Sequence, residues 1–509
     1  MKPLRTTAPA EAPERIRARI QEFLGGCREP AVFEPGEKPI PLEPGRFELQ
    51  VHGSGVVLHA WSESGSLVRR ILRIRGDQRG KLELAVHRLG RPPSSIQLID
   101  LGRSGPLLGL QVERLEFRER FRRMLLREFL GWEVTEISAS RAGGTSQSTP
   151  FAQAVVRQGQ QAFAAIGVDE SADQATGDHL LSFGLLWLDH LRSREQRRAV
   201  SGLKLFLPLK RSAATGHRLV FLNRSLATYE LYEFGPDGST VGIDENNYGN
   251  LATRLEPLAA PALPLPPVSG WIERLAACPG VEQVARPDGL ISLQVGGLEF
   301  ARASAGLMTY GLDEDRPVNV ANFHKVERLA QEIGAARAAE SADTRHQLYL
   351  RAPEKWLEAV VRSSITVVDA TLRPKPVYAQ VPAMAGSDRG ILDLVAVDSG
   401  GRLAVVELKA SEDLHLPLQG LDYWMRVKWH LDRGEFTRRG YFPGIVLEPA
   451  PPRLLLVSPA FDFHPSTETI LRYFSPQVEV ERVGVGAEWR RRLQVVMRAR
   501  GAERPGGTE

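Results

Sequence analysis

Two strongly apolar stretches near the C-terminal end of the chain carry charges that an apolar stretch would normally exclude. Asp393 lies in ILDLVAV, and Glu407 and Lys409 stand two apart in LAVVELKA. Strand alternation puts Glu407 and Lys409 on one face, and a hairpin turn through DSGGR, residues 398–402, brings Asp393 beside Glu407. Ionised groups in such surroundings are costly unless they are paired or bind a metal. Two converging carboxylates make a hard-oxygen site suited to Mg²⁺ or Mn²⁺, with positions left for water and a phosphate. An ammonium beside them can orient an attacking water or stabilise charge developing on phosphorus. The alternative is a structural ion pair between Lys409 and a carboxylate.

Two helices must flank these strands. PEKWLEAVVRSS starts at Pro353 and turns Leu357, Val360 and Val361 inward, with Glu354 and Glu358 one turn apart on another face. PLQGLDYWMRVKWHLDRG places Gln419, Tyr423, Arg426 and His430 along one stripe and Leu418, Leu421 and Met425 along another. Arg426 and His430 read as a solvated helix edge, and His415, in the preceding loop, as a surface residue.

Asp393, then thirteen residues, then Glu407-Leu408-Lys409, framed as helix, hairpin and helix, resembles the PD-(D/E)xK nuclease superfamily. The Gln419/Tyr423 pair resembles the Q-xxx-Y motif of several exonuclease and mismatch-endonuclease branches. The resemblance covers about residues 346–498 and departs from the pattern before Asp393, where GILD lacks the proline. It implies a restriction-endonuclease-like domain with a mixed central sheet, in which Asp393 and Glu407 are metal ligands and Lys409 is the catalytic cation. Glu358, with Glu354 as the alternative, is the helix ligand, and Gln419 completes the catalytic set. Tyr423 and Arg426 then face nucleic acid. The implied cofactor is Mg²⁺ or Mn²⁺, and the implied activity is phosphodiester hydrolysis, in DNA by preference. RNA, and endonucleolytic or exonucleolytic cleavage, stay open. A homodimer is an expectation of the resemblance alone. The rival is a non-catalytic nucleic-acid-binding or scaffold protein that keeps the fold.

The remaining chain reads as multidomain α+β. Over 509 residues, 65 Lys plus Arg against 61 Asp plus Glu leave a formal charge of +4, which permits nucleic-acid binding without arguing strongly for it. Two cysteines supply neither a disulfide framework nor a cysteine zinc site. No signal-peptide core or long apolar run is visible, which predicts a cytoplasmic protein without membrane association. A helical lead (1–30) precedes an antiparallel β module (31–108), in which Arg69, Arg73 and Arg75 share a face at period two. An α/β unit (109–255) follows, then a Pro-rich linker (256–268), a small α+β segment (269–345), the C-terminal domain (346–500) and a disordered tail (501–509). RAGGTSQSTP, residues 141–150, reads as a mobile loop. The basic runs ERFRRMLLRE, RSREQRR and EWRRRLQVVMRAR read as phosphate contacts or as charged helix faces.

The α/β unit can be laid on the C-terminal domain, with Gly184 under Gly420 and Trp187 under Tyr423, which reads either as a degenerate nuclease-like copy or as generic α/β similarity. Asp393 then falls near Gln153, Glu407 near Ile166, Lys409 near Val168 and Gln419 near Phe183, so a repeat would have lost every metal-site group.

Overall fold

The computed structural model describes residues 12–503 except 35–39, 54, 63–64, 79–80, 88–93, 101–107, 136–150, 196–197, 248–252, 259–262, 287, 339, 342 and 386–387. The loop expected at 141–150 and most of the expected tail lie outside the described residues. Among the described residues the chain forms mixed α+β architecture with four sheets. It divides into two compact units, one made of Met1–Gly249, Glu412–His415 and His464–Ser475, the other of Asn250–Ser411, Leu416–Phe463 and Pro476–Glu509. Among the described residues no helix is long and apolar enough to cross a membrane.

In the first unit an antiparallel meander runs from Phe47–His52 through Ser94–Asp100 and is extended by Pro30–Phe33 and Ile40–Pro41. Helix Pro13–Gly26 supplies Ile16 and Ile20 to its core. The arginine stripe does not hold its phase. Register shifts between Ile71 and Arg73 and between Ile74 and Gly76 interrupt the alternation. Arg69 is consequently buried, donating to Glu34 at 2.5 Å, whereas Arg73 and Arg75 are exposed.

Helix α1 (Leu108–Glu128) leads into a six-stranded sheet made of β1 (Glu133–Thr135), β2 (Phe151–Gln158), β3 (Gln161–Val168), β4 (Ala199–Pro208), β5 (Thr228–Phe234) and β6 (Thr240–Ile243), paired in that order. Helix α2 (Leu180–Arg194) crosses from β3 to β4, and α3 (Ala213–Leu219) crosses from β4 to β5. The pairings run antiparallel, antiparallel, parallel, parallel, antiparallel. His415, read from sequence as a surface residue, stacks on His179 with ring centroids 3.6 Å apart, and its Nδ1 lies 2.9 Å from Ser182 Oγ.

In the second unit, strands Val281–Ala285, Ile291–Val295, Leu298–Ala303, Met308–Tyr310 and Arg316–Pro317 make a small antiparallel sheet. Helix Phe323–Ala336 contributes Phe323, Val326, Ala330 and Ile333 to the core on that sheet. The larger sheet consists of β7 (Tyr378–Ala385), β8 (Asp388–Val397), β9 (Leu403–Leu408), β10 (Arg453–Pro459), β11 (Val480–Val485) and β12 (Val495–Arg500), with Thr253–Leu255 added beside β7. Helix α4 (Pro353–Ser363) precedes β7, α5 (Leu416–Asp432) joins β9 to β10, and α6 (Ser466–Arg472), which belongs to the first unit, lies between β10 and β11 in the chain. From β7 to β12 the pairings repeat those from β1 to β6, antiparallel twice, parallel twice, then antiparallel. The run EWRRRLQVVMRAR forms no helix. It ends in edge strand β12, whose residues Val495–Arg500 alternate in burial at period two.

The laid-over sequences agree residue by residue with this topology. Gln153 pairs with Ile166 across β2 and β3, and Leu394 pairs with Val406 across β8 and β9, so the next opposed positions are Asp393 and Glu407. Ile166 neighbours Leu205 on the parallel side, as Glu407 neighbours Leu456. A Cβ at Gly184 would stand 3.0 Å from Leu203 and Leu205, and one at Gly420 2.7 Å from Leu456 and 3.2 Å from Leu454. Each crossover helix therefore lies close on its sheet through a glycine set over two equivalent leucines.

Candidate functional site

The β8–β9 hairpin is buried because LAVVEL and LVAV carry apolar groups on both faces of the sheet; all six residues of β9 are buried. Leu394, Ala396, Ala404, Val406 and Leu408 pack with Trp356, Leu357 and Val361 of α4 in one core. That packing sets the direction of the charged groups. Where the β8–β9 ladder stops, the Leu408 N–H turns to the Asp393 carboxylate, donating to Oδ2 at 3.0 Å. Glu407 continues into the parallel ladder with β10 and is 2 % exposed. The next residue but one, Lys409, has its N–H on Val457 O at 3.0 Å, and its ammonium lies 3.9 Å from both Glu407 Oε1 and Glu354 Oε1.

Helix α4 begins at Pro353 and adds the third carboxylate. Glu358 is buried and accepts from Lys355 Nζ at 3.0 Å. Glu354, one turn earlier, is exposed. Both glutamates and Lys355 line a cleft of about 340 Å³ together with Asp393, Ala352 and Pro353. Burial, then the nearby Glu358 anion, pushes the Asp393 carboxyl up to about 6, against the opposing pull of the Leu408 N–H, Lys355 and Lys409.

Helix α5 presents Gln419 and Tyr423 from its first turns. The Gln419 Oε1 is buried and makes no hydrogen bond among the described residues. Burial raises the Tyr423 phenol above its usual range, and the Glu407 and Asp393 carboxylates raise it further, which places this side chain in their field. Arg426 stands over the Tyr423 ring at 5.8 Å. His430, expected on a solvated edge, is instead 1 % exposed, bonded to Thr253 Oγ1 at 3.0 Å and to Glu435.

Asp393, Glu407, Lys409, Glu358, Gln419, Tyr423 and Arg426 thus come from β8, the end of β9, α4 and α5. Lys355 is the charged group the sequence reading passed over. The signal for it was its place three residues before Glu358 on the same helix. Among the described residues no group of three His, Cys, Asp or Glu side chains stands close enough to hold a metal ion. The donors are nonetheless of the hard-oxygen type that Mg²⁺ and Mn²⁺ take. The buried Gln419 oxygen and the raised Asp393 carboxyl are both groups that a cation would satisfy.

Comparisons of the chain with protein-family models, with curated proteins and with solved structures find no match in any of the three.

Proposed function

We propose that the C-terminal region is a metal-dependent nuclease of the PD-(D/E)xK type that hydrolyses phosphodiester bonds, with DNA the preferred substrate. The observation that carries this reading is the Asp393 carboxylate held by the Leu408 N–H at the end of a buried hairpin, with Lys409 3.9 Å from Glu407 and Glu358 lining the same cleft as Asp393. The order of α4, the strands β7 to β9 and α5 matches what the resemblance calls for.

Asp393, Glu407 and Glu358 would hold a Mg²⁺ or Mn²⁺ ion, which when bound neutralises the carboxylates and lowers the pKa of water. Lys409 offers a cation at the same place to orient the attacking water and to offset charge developing on the phosphate. Gln419 offers a buried amide for the water or a phosphate oxygen. Tyr423 and Arg426 follow along α5, spaced for a flanking phosphate.

The test is cleavage of labelled single-stranded, double-stranded and branched DNA, and of matched RNA, in Mg²⁺ or Mn²⁺. Cleavage that disappears with EDTA and in both Glu407→Ala and Lys409→Ala supports the reading and identifies the substrate class. The rival, a binding protein that keeps the fold, draws on the absence of an assembled three-ligand cluster among the described residues. It takes over if the wild type cuts nothing while binding nucleic acid as tightly as both variants do.

A further inference from the structure

A second cleft, of about 400 Å³, opens beside the candidate centre. Lys355 and Glu358 line both this cleft and the one that contains Asp393, so the two adjoin along α4. The opposite wall is the small antiparallel sheet, which contributes Arg286, Gln294, Glu299 and Arg302. We propose that this cleft seats the unpaired nucleoside that flanks the bond to be cut, a proposal that rests on the nuclease reading.

Size, rigidity and charge carry it. The volume is near the lower end of small-ligand sites, which start at about 300 Å³, and admits one nucleoside but no duplex. Its two walls are held at fixed separation by Gly297. This residue has φ +74°, and a Cβ on it would fall 1.9 Å from the carbonyl oxygen of Lys355. The sheet therefore meets the helix backbone directly, and the cleft is formed before any ligand arrives.

The lining is balanced in charge. Arg286, Arg302, Arg362 and Lys355 oppose Glu299, Asp313, Asp315 and Glu358. A site for phosphate alone would be net positive. Interleaved donors and acceptors instead match the edge of a nucleobase, which displays both. Glu299 is oriented by Ser292 and Arg302, with Arg286 at 3.5 Å, and Arg302 reaches Asp315 at 3.1 Å. These pairs are partly exposed and weak, so a base can exchange into them at small cost. Lys355, at the junction of the two clefts, is placed to meet a phosphate on the Asp393 side.

The test is calorimetric titration of the full chain with each of the four 2′-deoxynucleoside 5′-monophosphates in EDTA, so that binding is read without catalysis. At least one should bind the wild type. Arg302→Ala and Arg286→Ala should each weaken it about tenfold, Glu299→Gln should change the preference among bases, and Gln153→Ala, which lines neither cleft, should bind as the wild type does. Absence of binding to the wild type, or binding indifferent to both arginine variants, overturns the cleft assignment. The two proposals fail separately. Binding that depends on Arg302, in a chain that cleaves nothing, keeps the cleft as a nucleotide site and removes the nuclease reading. Cleavage lost in Glu407→Ala, with nucleotide binding indifferent to Arg302 and Arg286, does the reverse.

Discussion

The sheet from β1 to β6 and the sheet from β7 to β12 share strand order, strand directions, crossover helices and the glycine over two leucines. They differ where the β2–β3 and β8–β9 hairpins end. In the C-terminal sheet that place holds Asp393, Glu407 and Lys409, with Gln419 on the following helix. In the central sheet the same positions are Gln153, Ile166, Val168 and Phe183, the last three at most 1 % exposed. Phe183 packs on Phe151 with centroids 5.0 Å apart, and the buried Arg46 guanidinium lies 4.9 Å over its ring. An apolar and aromatic filling thus stands where its counterpart concentrates carboxylates. The architecture depends on the glycine–leucine contact and the apolar strands, and the charged set can be removed without altering it. Its retention in one sheet of the two is hard to explain by packing, because buried charges are a weak source of stability.

The strongest way to break this contrast is cleavage. Glu407→Ala and Lys409→Ala should each lower kcat/KM by about 10²–10³-fold, whereas Gln153→Ala should leave it unchanged; equal losses in both sheets would end the distinction.

Next is the pH dependence of stability. A carboxyl held at about 6 in the folded chain, against 3.8 ordinarily, binds its proton more tightly folded than unfolded. Its contribution to stability is thus lost as pH rises through that window. Asp393→Asn should therefore stabilise the metal-free chain above pH 6, by up to about 3 kcal/mol, with no gain below about pH 4. Gln153→Asp, which introduces a carboxyl at the matching central position, should destabilise above pH 6. Denaturant melts in EDTA at several pH values check both, and a flat profile for Asp393→Asn would show that its surroundings do not penalise the anion.

The shared scaffold predicts a smaller and matched effect. Gly184→Ala and Gly420→Ala should each cost about 1–3 kcal/mol by overpacking against their leucines. The loss at Gly420 should be the larger, given its closer approach to Leu456.

Much of this was legible without coordinates. Runs such as FAQAVVRQ and LAVVELKA are apolar and β-branched over strand length, and the crossover helices follow from their length and periodicity. The candidate centre was legible because a carboxylate and a lysine inside such a run conflict with burial, and that conflict is local. The Arg69 stripe was misread because a bulge costs one residue of phase and leaves no composition signal. His430 and His415 were misread because their partners, Thr253 and His179, are 177 and 236 residues away.

By itself, then, the sequence determined which segments are strands, which are crossover helices, and where charge conflicts with an apolar interior, since each depends on residues near one another in the chain. The tertiary structure alone decided that Lys355 joins two clefts and that Arg46 lies over Phe183. It also decided that Glu358 is buried near Asp393 while Glu354 is exposed beside Lys409. These depend on how distant segments pack, and close packing fixes a side chain's neighbours by shape and volume, which no local pattern encodes.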